Sequence, residues 1–327
     1  MLLRWALPLA LAVLACGRAS AEGAPAPRSS AAPPPNATAS AGFRAAPTPS
    51  SHPAPARASA AAPRALERST YPWLDDASLE HPEPTETLEA RFAPPPGGKR
   101  VHVESGSFAA WLRGLPLAAE GTPVRTYDGS VLHEASDPRI AAVVALDTGS
   151  ADLQQCADAV MRLDAEWRWS KGARDMSYRA ASGALLPFAR WARGERLVAR
   201  GRDVVWQPRA APKSDHAALR SYLDAVFAWA NTVSLERTAK PVAAKELRPG
   251  DFFIMGGNPG HAVMVLDVAE LPDGRRVALL GQSYMPAQSY QVLRSRATGA
   301  WFVLDPDRDV ATPFWRPFPW SSLRRLE

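Results

Sequence analysis

Asp152-Leu153-Gln154-Gln155-Cys156-Ala157-Asp158-Ala159-Val160-Met161-Arg162-Leu163 is the stretch on which the reading of this chain turns. Asp152 is a good helix N-cap, and Gln155 three residues later completes a capping-box pattern. Leu153, Cys156, Val160, Leu163 and Trp167 recur at spacings of three and four, which is one helical face. The pattern predicts a helix with Cys156 in its first turn and on its apolar stripe. The chain has 2 cysteines, and the other, Cys16, ends an apolar leader. A lone thiol on such a stripe is either a buried small hydrophobe or a nucleophile.

Outward from this helix the chain changes character. Toward the N-terminus, Gly98 to Val103 reads as a strand, and Ser107 caps a short helix through Arg113. Arg139 to Leu146 is an apolar strand candidate between an Asp-Pro pair and Gly149-Ser150. Toward the C-terminus, a second helix is predicted from Asp215 to Asn231, with Leu219, Leu223, Val226 and Ala230 on one face. Strands then take over. Leu247-Arg248-Pro249-Gly250-Asp251 is a turn into Phe252-Phe253-Ile254-Met255. The loop Gly256-Gly257-Asn258-Pro259-Gly260 delivers His261, which opens a strand to Val268. Pro272 to Arg275 is a hairpin turn, and Val277 to Gln282 is the return strand. Helices followed by an antiparallel sheet make the expected fold α+β.

The thiol suggests a chemistry. Cysteine hydrolysis needs a thiol that becomes thiolate, a base for its proton, and a third polar group that fixes the base's tautomer. Cys156 sits where the positive end of a helix dipole favours thiolate. With the hairpin turn centred between Pro272 and Asp273, residue 263 falls opposite residue 282. His261 and Val263 share a face, so Gln282 lies diagonally beside His261. Gln154, Gln155 and the Gly260 region are candidates for oxyanion or substrate binding.

The run Leu247-x-Pro249-Gly250-Asp251, an apolar strand, then Gly260-His261-Ala262-Val263 resembles the histidine half of papain-like cell-wall hydrolases of the NlpC/P60 and CHAP kinds. That resemblance implies a papain-like architecture, a helix-borne Cys packed on an antiparallel sheet. It also implies a nucleophile at Cys156, a base at His261 and an orienting group at Gln282. The chain departs from it in its long Cys–His gap, and in having no aromatic after Cys156. The region from about 71 to 327 further resembles a bacterial domain-of-unknown-function family, number 4846. The matching stretches are residues 152–163, 256–264 and 282–288.

The ends of the chain speak to location. Arg4 followed by an apolar run from Trp5 to Ala15 reads as an export signal, too short to span a bilayer at roughly 20 residues. Its end resembles a bacterial lipobox. The resemblance implies cleavage before Cys16, lipidation of that residue and anchoring without a transmembrane helix. Gly17 after the cysteine favours the outer membrane, facing the periplasm or cell surface. Residues 17–70 are rich in Ala, Pro and Ser, and are expected to form a disordered tether. One globular domain is expected over 71–327. The first seventy residues carry seven Arg and two acidic residues, whereas the rest carries 31 basic and 31 acidic ones. The basic pI therefore belongs to the tether and gives no ground for nucleic-acid binding.

Other chemistries find little support. Val144-Ala145-Leu146-Asp147-Thr148-Gly149-Ser150 fits an aspartic-protease motif, but those sites need two such aspartates and the chain has one copy. The 6 histidines are scattered without metal-ligand spacing, so no metal or cofactor is expected. Two functions remain. One is an envelope-anchored cysteine hydrolase cleaving an amide or peptide bond, with peptidoglycan or a peptide as substrate. The other is a non-catalytic envelope lipoprotein that binds a wall polymer or a partner protein.

Overall fold

A computed structural model describes residues 65–326. The export leader, Cys16 and all but the last residues of the tether lie outside the described residues. Sheet dominates what is described. Nine strands form one sheet, and five further pairs of short strands form two-stranded ribbons. All the strand ladders are antiparallel.

This corrects the fold expected from the sequence. A papain-like α+β architecture is not what forms; the fold is β-rich, with two α-helices longer than seven residues among the described residues. The reason is physical. Many of the strands are two to four residues long. So short a run carries no readable alternation, and its identity comes from its partner strand, not from its own sequence.

The central run of the sheet is Leu323–Arg325, Phe252–Met255, His261–Glu270, Arg276–Gln282, Gln291–Leu293 and Ile140–Val143. Alternation gives this sheet two greasy faces. Phe252, Ile254, Ala262, Met264, Leu266 and Leu279 pack with Val160, Leu163, Leu219 and Leu223 of the two long helices. Phe253, Val263, Val265, Ala278 and Leu280 pack with Val310, Phe318 and Leu323. Sheet strands buried on both faces read as continuous apolar runs, as Phe252–Met255 does.

The first long helix is Cys156–Ser170, and the second is His216–Trp229, capped by Asp215, whose side chain accepts from the Ala218 N–H. A further short helix, Thr232–Thr238, follows Asn231. The first helix starts later than its sequence suggests. Gln155, not Asp152, is its N-cap, and Asp158 completes the capping box. Cys156 is therefore the first helical residue. Asp152 instead accepts from Gln155 Nε2 (2.9 Å) and the Ala287 N–H (2.6 Å), tying the helix entry to the segment after the return strand.

The register of the histidine hairpin contains one irregularity. Near the turn Glu270 pairs with Arg276, and Asp267 with Leu279. A bulge at Leu266 then shifts the pairing, so that Val265 faces Leu280 and Met264 faces Gly281. Continuing that register sets Gln282 across from Val263 and diagonal to His261.

No helix among the described residues is long and apolar enough to cross a membrane.

Candidate functional site: a thiol beside a histidine strand

The cysteine helix packs across the start of the histidine strand. Cys156 is 4% exposed and His261 is fully buried. The Cys156 thiol donates to the Gly260 carbonyl oxygen at 3.9 Å, and the Ala262 N–H also reaches the sulfur. The sulfur thus rests against the backbone on both sides of His261. Residue 260 is a glycine because the loop packs on the adjacent Thr232–Thr238 helix and on its own strand. A Cβ there would stand 2.2 Å from Thr232 Oγ1 and 2.8 Å from the Met255 carbonyl oxygen.

His261 turns its ring toward the face covered by the C-terminal ribbon, Val310–Thr312 paired with Trp315–Phe318. Ring centroids of Tyr284, Trp315 and Phe318 lie 4.7, 5.1 and 6.0 Å from the imidazole. His261 Nε2 donates to Gln282 Oε1 at 2.8 Å. An amide oxygen only accepts, so the neutral ring carries its proton on Nε2 and leaves Nδ1 as a bare acceptor. Nδ1 is buried and has no hydrogen-bond partner.

Electrostatics keep the thiol and the ring neutral at rest. Burial pushes the Cys156 thiol up to about 12, Asp158 adds to the effect, and nearby backbone N–H groups work against it. Burial pushes His261 down to about 4, which the Gln282 hydrogen bond only partly offsets. Such a pair starts as thiol and imidazole, not thiolate and imidazolium. Any nucleophilic step has to move the thiol proton to Nδ1 as the sulfur attacks.

The other sequence candidates are engaged differently. Gln154 is buried, donates through Nε2 to the Asp147 carbonyl oxygen (2.8 Å) and accepts through Oε1 from Arg162 Nη1 (2.8 Å). Gln155 caps the helix. Gly260 is in contact with the sulfur through its carbonyl group. Asp147, the aspartate of the protease-like motif, is ion-paired with the buried Arg162 and with Arg220. These two cations outweigh the burial that would raise its pKa and hold its carboxyl well below the usual range.

Sequence reasoning missed Asp158, Tyr284 and Trp315. Asp158 is the third helical residue, and its Oδ2 accepts from the Gln155 N–H at 3.1 Å. Its Oδ1 is buried without a partner. Burial pushes its carboxyl up to about 8, with backbone hydrogen bonds opposing. Its capping-box position three residues past Gln155 was the available signal, hidden once Asp152 was taken as the cap. Nothing local marks Trp315, which reaches His261 only through the fold. Among the described residues no group of three or more His, Cys, Asp or Glu is placed to hold a metal ion.

Fold and site together define a β-rich protein with a buried, neutral His261–Gln282 pair, beside which the Cys156 thiol bonds to the Gly260 carbonyl and not to the ring. By its sequence the chain belongs to the family described as Domain of unknown function (4846), whose model matches residues 88–325 and so spans the sheet, both long helices and all of those residues. No curated protein and no solved structure matches it.

Proposed function

We propose that the protein is a cysteine hydrolase that cleaves an amide or peptide bond. The observation carrying this reading is the His261 ring. Gln282 fixes its tautomer at Nε2, its bare Nδ1 is buried without a partner, and the Cys156 sulfur rests against the backbone flanking it. Most buried polar atoms find a hydrogen-bond partner, so a bare buried ring nitrogen is a valence open to a proton.

In the reaction, Cys156 turns from the Gly260 carbonyl toward Nδ1 and attacks the substrate carbonyl carbon. Nδ1 takes the thiol proton as the C–S bond forms. The oxyanion is met by the Cys156 N–H, one of the donors a helix leaves unpaired in its first turn. The imidazolium returns its proton to the departing amine as the C–N bond breaks, leaving a thioester. A water deprotonated by Nδ1 then releases the acid and restores the thiol. Gln282 holds the ring throughout.

The export leader, a lipid anchor at Cys16 and an outer-membrane position bring this activity to the cell envelope, with peptidoglycan or a peptide as substrate. A second reading, a non-catalytic envelope lipoprotein, draws on the thiol's hydrogen bond to a carbonyl and on its high pKa.

The test is digestion of muropeptides and of a peptide-amide library by the full-length chain, read by mass spectrometry. Hydrolysis is expected, absent in Cys156→Ala and in His261→Ala, and reduced in Gln282→Ala. Cleavage that persists in Cys156→Ala sinks the hydrolase reading. So does alkylation of Cys156 by iodoacetamide at a rate that His261→Ala leaves unchanged.

A further inference from the structure

A cleft of about 390 Å³ opens beside Cys156, between the start of its helix, the 257–260 loop and the Asn231–Thr232 helix entry. Its charged lining is of one sign. Asp152 contributes a carboxylate and Asp158 a carboxyl that burial keeps largely protonated near neutral pH, and no Lys, Arg or His lines the cleft. The remaining polar lining includes Asn231, Thr232 and Gln155, all neutral.

Asp158 points to the occupant. It is 7% exposed, and its capping bond to the Gln155 N–H accounts for Oδ2 alone. Oδ1 is buried and unpartnered. A buried acid without a donor stays protonated, and a cation bound against it draws it into its ionised form. Asp152 is exposed, and its Oδ1 serves Gln155 Nε2 and the Ala287 N–H. A helix N-terminus by itself attracts anions. The Asp152 carboxylate, joined by Asp158 as it ionises against a bound cation, turns that preference around, with no counter-cation in the lining.

We propose that this cleft is a subsite for a protonated amine, so that the substrate carries an ammonium group close to the carbonyl that Cys156 attacks. The inference rests on Cys156 being the nucleophile. The charge preference of the cleft can be measured without that assumption.

The probes are two methanethiosulfonate reagents of similar size, 2-aminoethyl (cationic) and 2-sulfonatoethyl (anionic). Each transfers its thioalkyl group to the Cys156 sulfur, forming a mixed disulfide and releasing methanesulfinate. Labelling rates of the full chain are followed by peptide mass spectrometry, which separates Cys156 from Cys16. The cation-to-anion rate ratio in the native protein is divided by the same ratio in urea.

A normalised ratio of about ten or more is expected, falling as salt is added. Asp158→Asn is expected to lower it several-fold, and Asp152→Asn by less. Because Asp158 caps the helix, Asp152→Asn is the variant to trust should Asp158→Asn fold poorly. A normalised ratio near one overturns the inference, as does a ratio that neither variant changes or a native Cys156 that neither reagent reaches. The fate of the hydrolase reading is read separately. If His261→Ala leaves both absolute rates unchanged while the ratio stays high, the charge preference stands and the nucleophile does not. If the ratio collapses while rates depend on His261, the reverse holds.

Discussion

The helix Cys156–Ser170 has two buried polar neighbourhoods, and they are built on opposite principles. Around its middle, Arg162 is fully buried and paired with Asp147 and with Glu166 (2.8 Å). Glu166 in turn bonds His216 Nε2 (2.9 Å), and His216 Nδ1 bonds Asp76 (2.9 Å). Gln154 and Arg220 fill the remaining valences of Asp147 and Arg162. Around its start, His261 Nδ1, Gln282 Nε2 and Asp158 Oδ1 are buried with no partner. A saturated network fastens parts of the chain together, here residues from 76 to 220. An unsaturated one holds free valences that a ligand or a reaction can use. Both places have fully buried members, Arg162 and Glu166 in the first and His261 in the second, but only the second leaves valences unfilled.

The contrast breaks most visibly at Arg162. Arg162→Ala leaves the buried Asp147 with Arg220 alone and the buried Glu166 with His216 alone, and about 3 kcal/mol of unfolding free energy should be lost. Urea denaturation of the full chain measures it. A loss below about 1 kcal/mol would mean that the network is not the clasp its geometry suggests.

Acidity separates the two histidines next. His261 is held down to about 4, below its unfolded value of about 6.5. Its contribution is fully present above about pH 6.5 and is lost as pH falls toward 4, by on the order of 3 kcal/mol. His216 has the opposite sign. Burial disfavours its charge, but the hydrogen bonds to Glu166 and Asp76 win and raise its pKa. Its contribution is fully present below about pH 6.5 and is lost as pH rises through its folded value. Unfolding curves from pH 4 to 8 should therefore differ from wild type with opposite slopes in His261→Ala and His216→Ala. Equal slopes would erase the distinction.

The smallest effect is expected at the thiol. Cys156→Ala removes one sulfur whose bond is a long contact to a carbonyl, so stability should change by about 1 kcal/mol or less while hydrolysis disappears. A loss as large as that of Arg162→Ala, read in the same urea titration, would instead class the thiol as packing.

The sequence made the cysteine end of the helix more legible than the saturated one. The stripe Leu153, Cys156, Val160, Leu163 reports a helix because its period is local. The Gly-His strand and its return were legible for the same reason, and the diagonal relation of His261 to Gln282 came out as the structure has it. It did so through a bulge that the sequence did not announce. The N-cap was misplaced because Asp152 and Gln155 satisfy the capping pattern as well as Gln155 and Asp158 do. The network stayed hidden because Asp76, Asp147, Glu166, His216 and Arg220 are scattered over some 140 positions, and nothing local ties one to another. Arg162 and Glu166, four apart on one helix, were the only local hint. The overall architecture differs from the expected one because two- and three-residue strands such as Lys240–Pro241 and Leu323–Arg325 exist only as partners of other strands.

The bulge at Leu266 has a consequence for how this chain tolerates change in length. Leu266 is extra to the ladder, since Asp267 faces Leu279 and Val265 faces Leu280 on either side of it. Excising it would leave both of those pairings standing, and His261 would keep its place diagonal to Gln282. A deletion of one residue on the base side of the bulge, between His261 and Val265, has no such slack: it would move His261 one place along the return strand and turn its side chain to the other face.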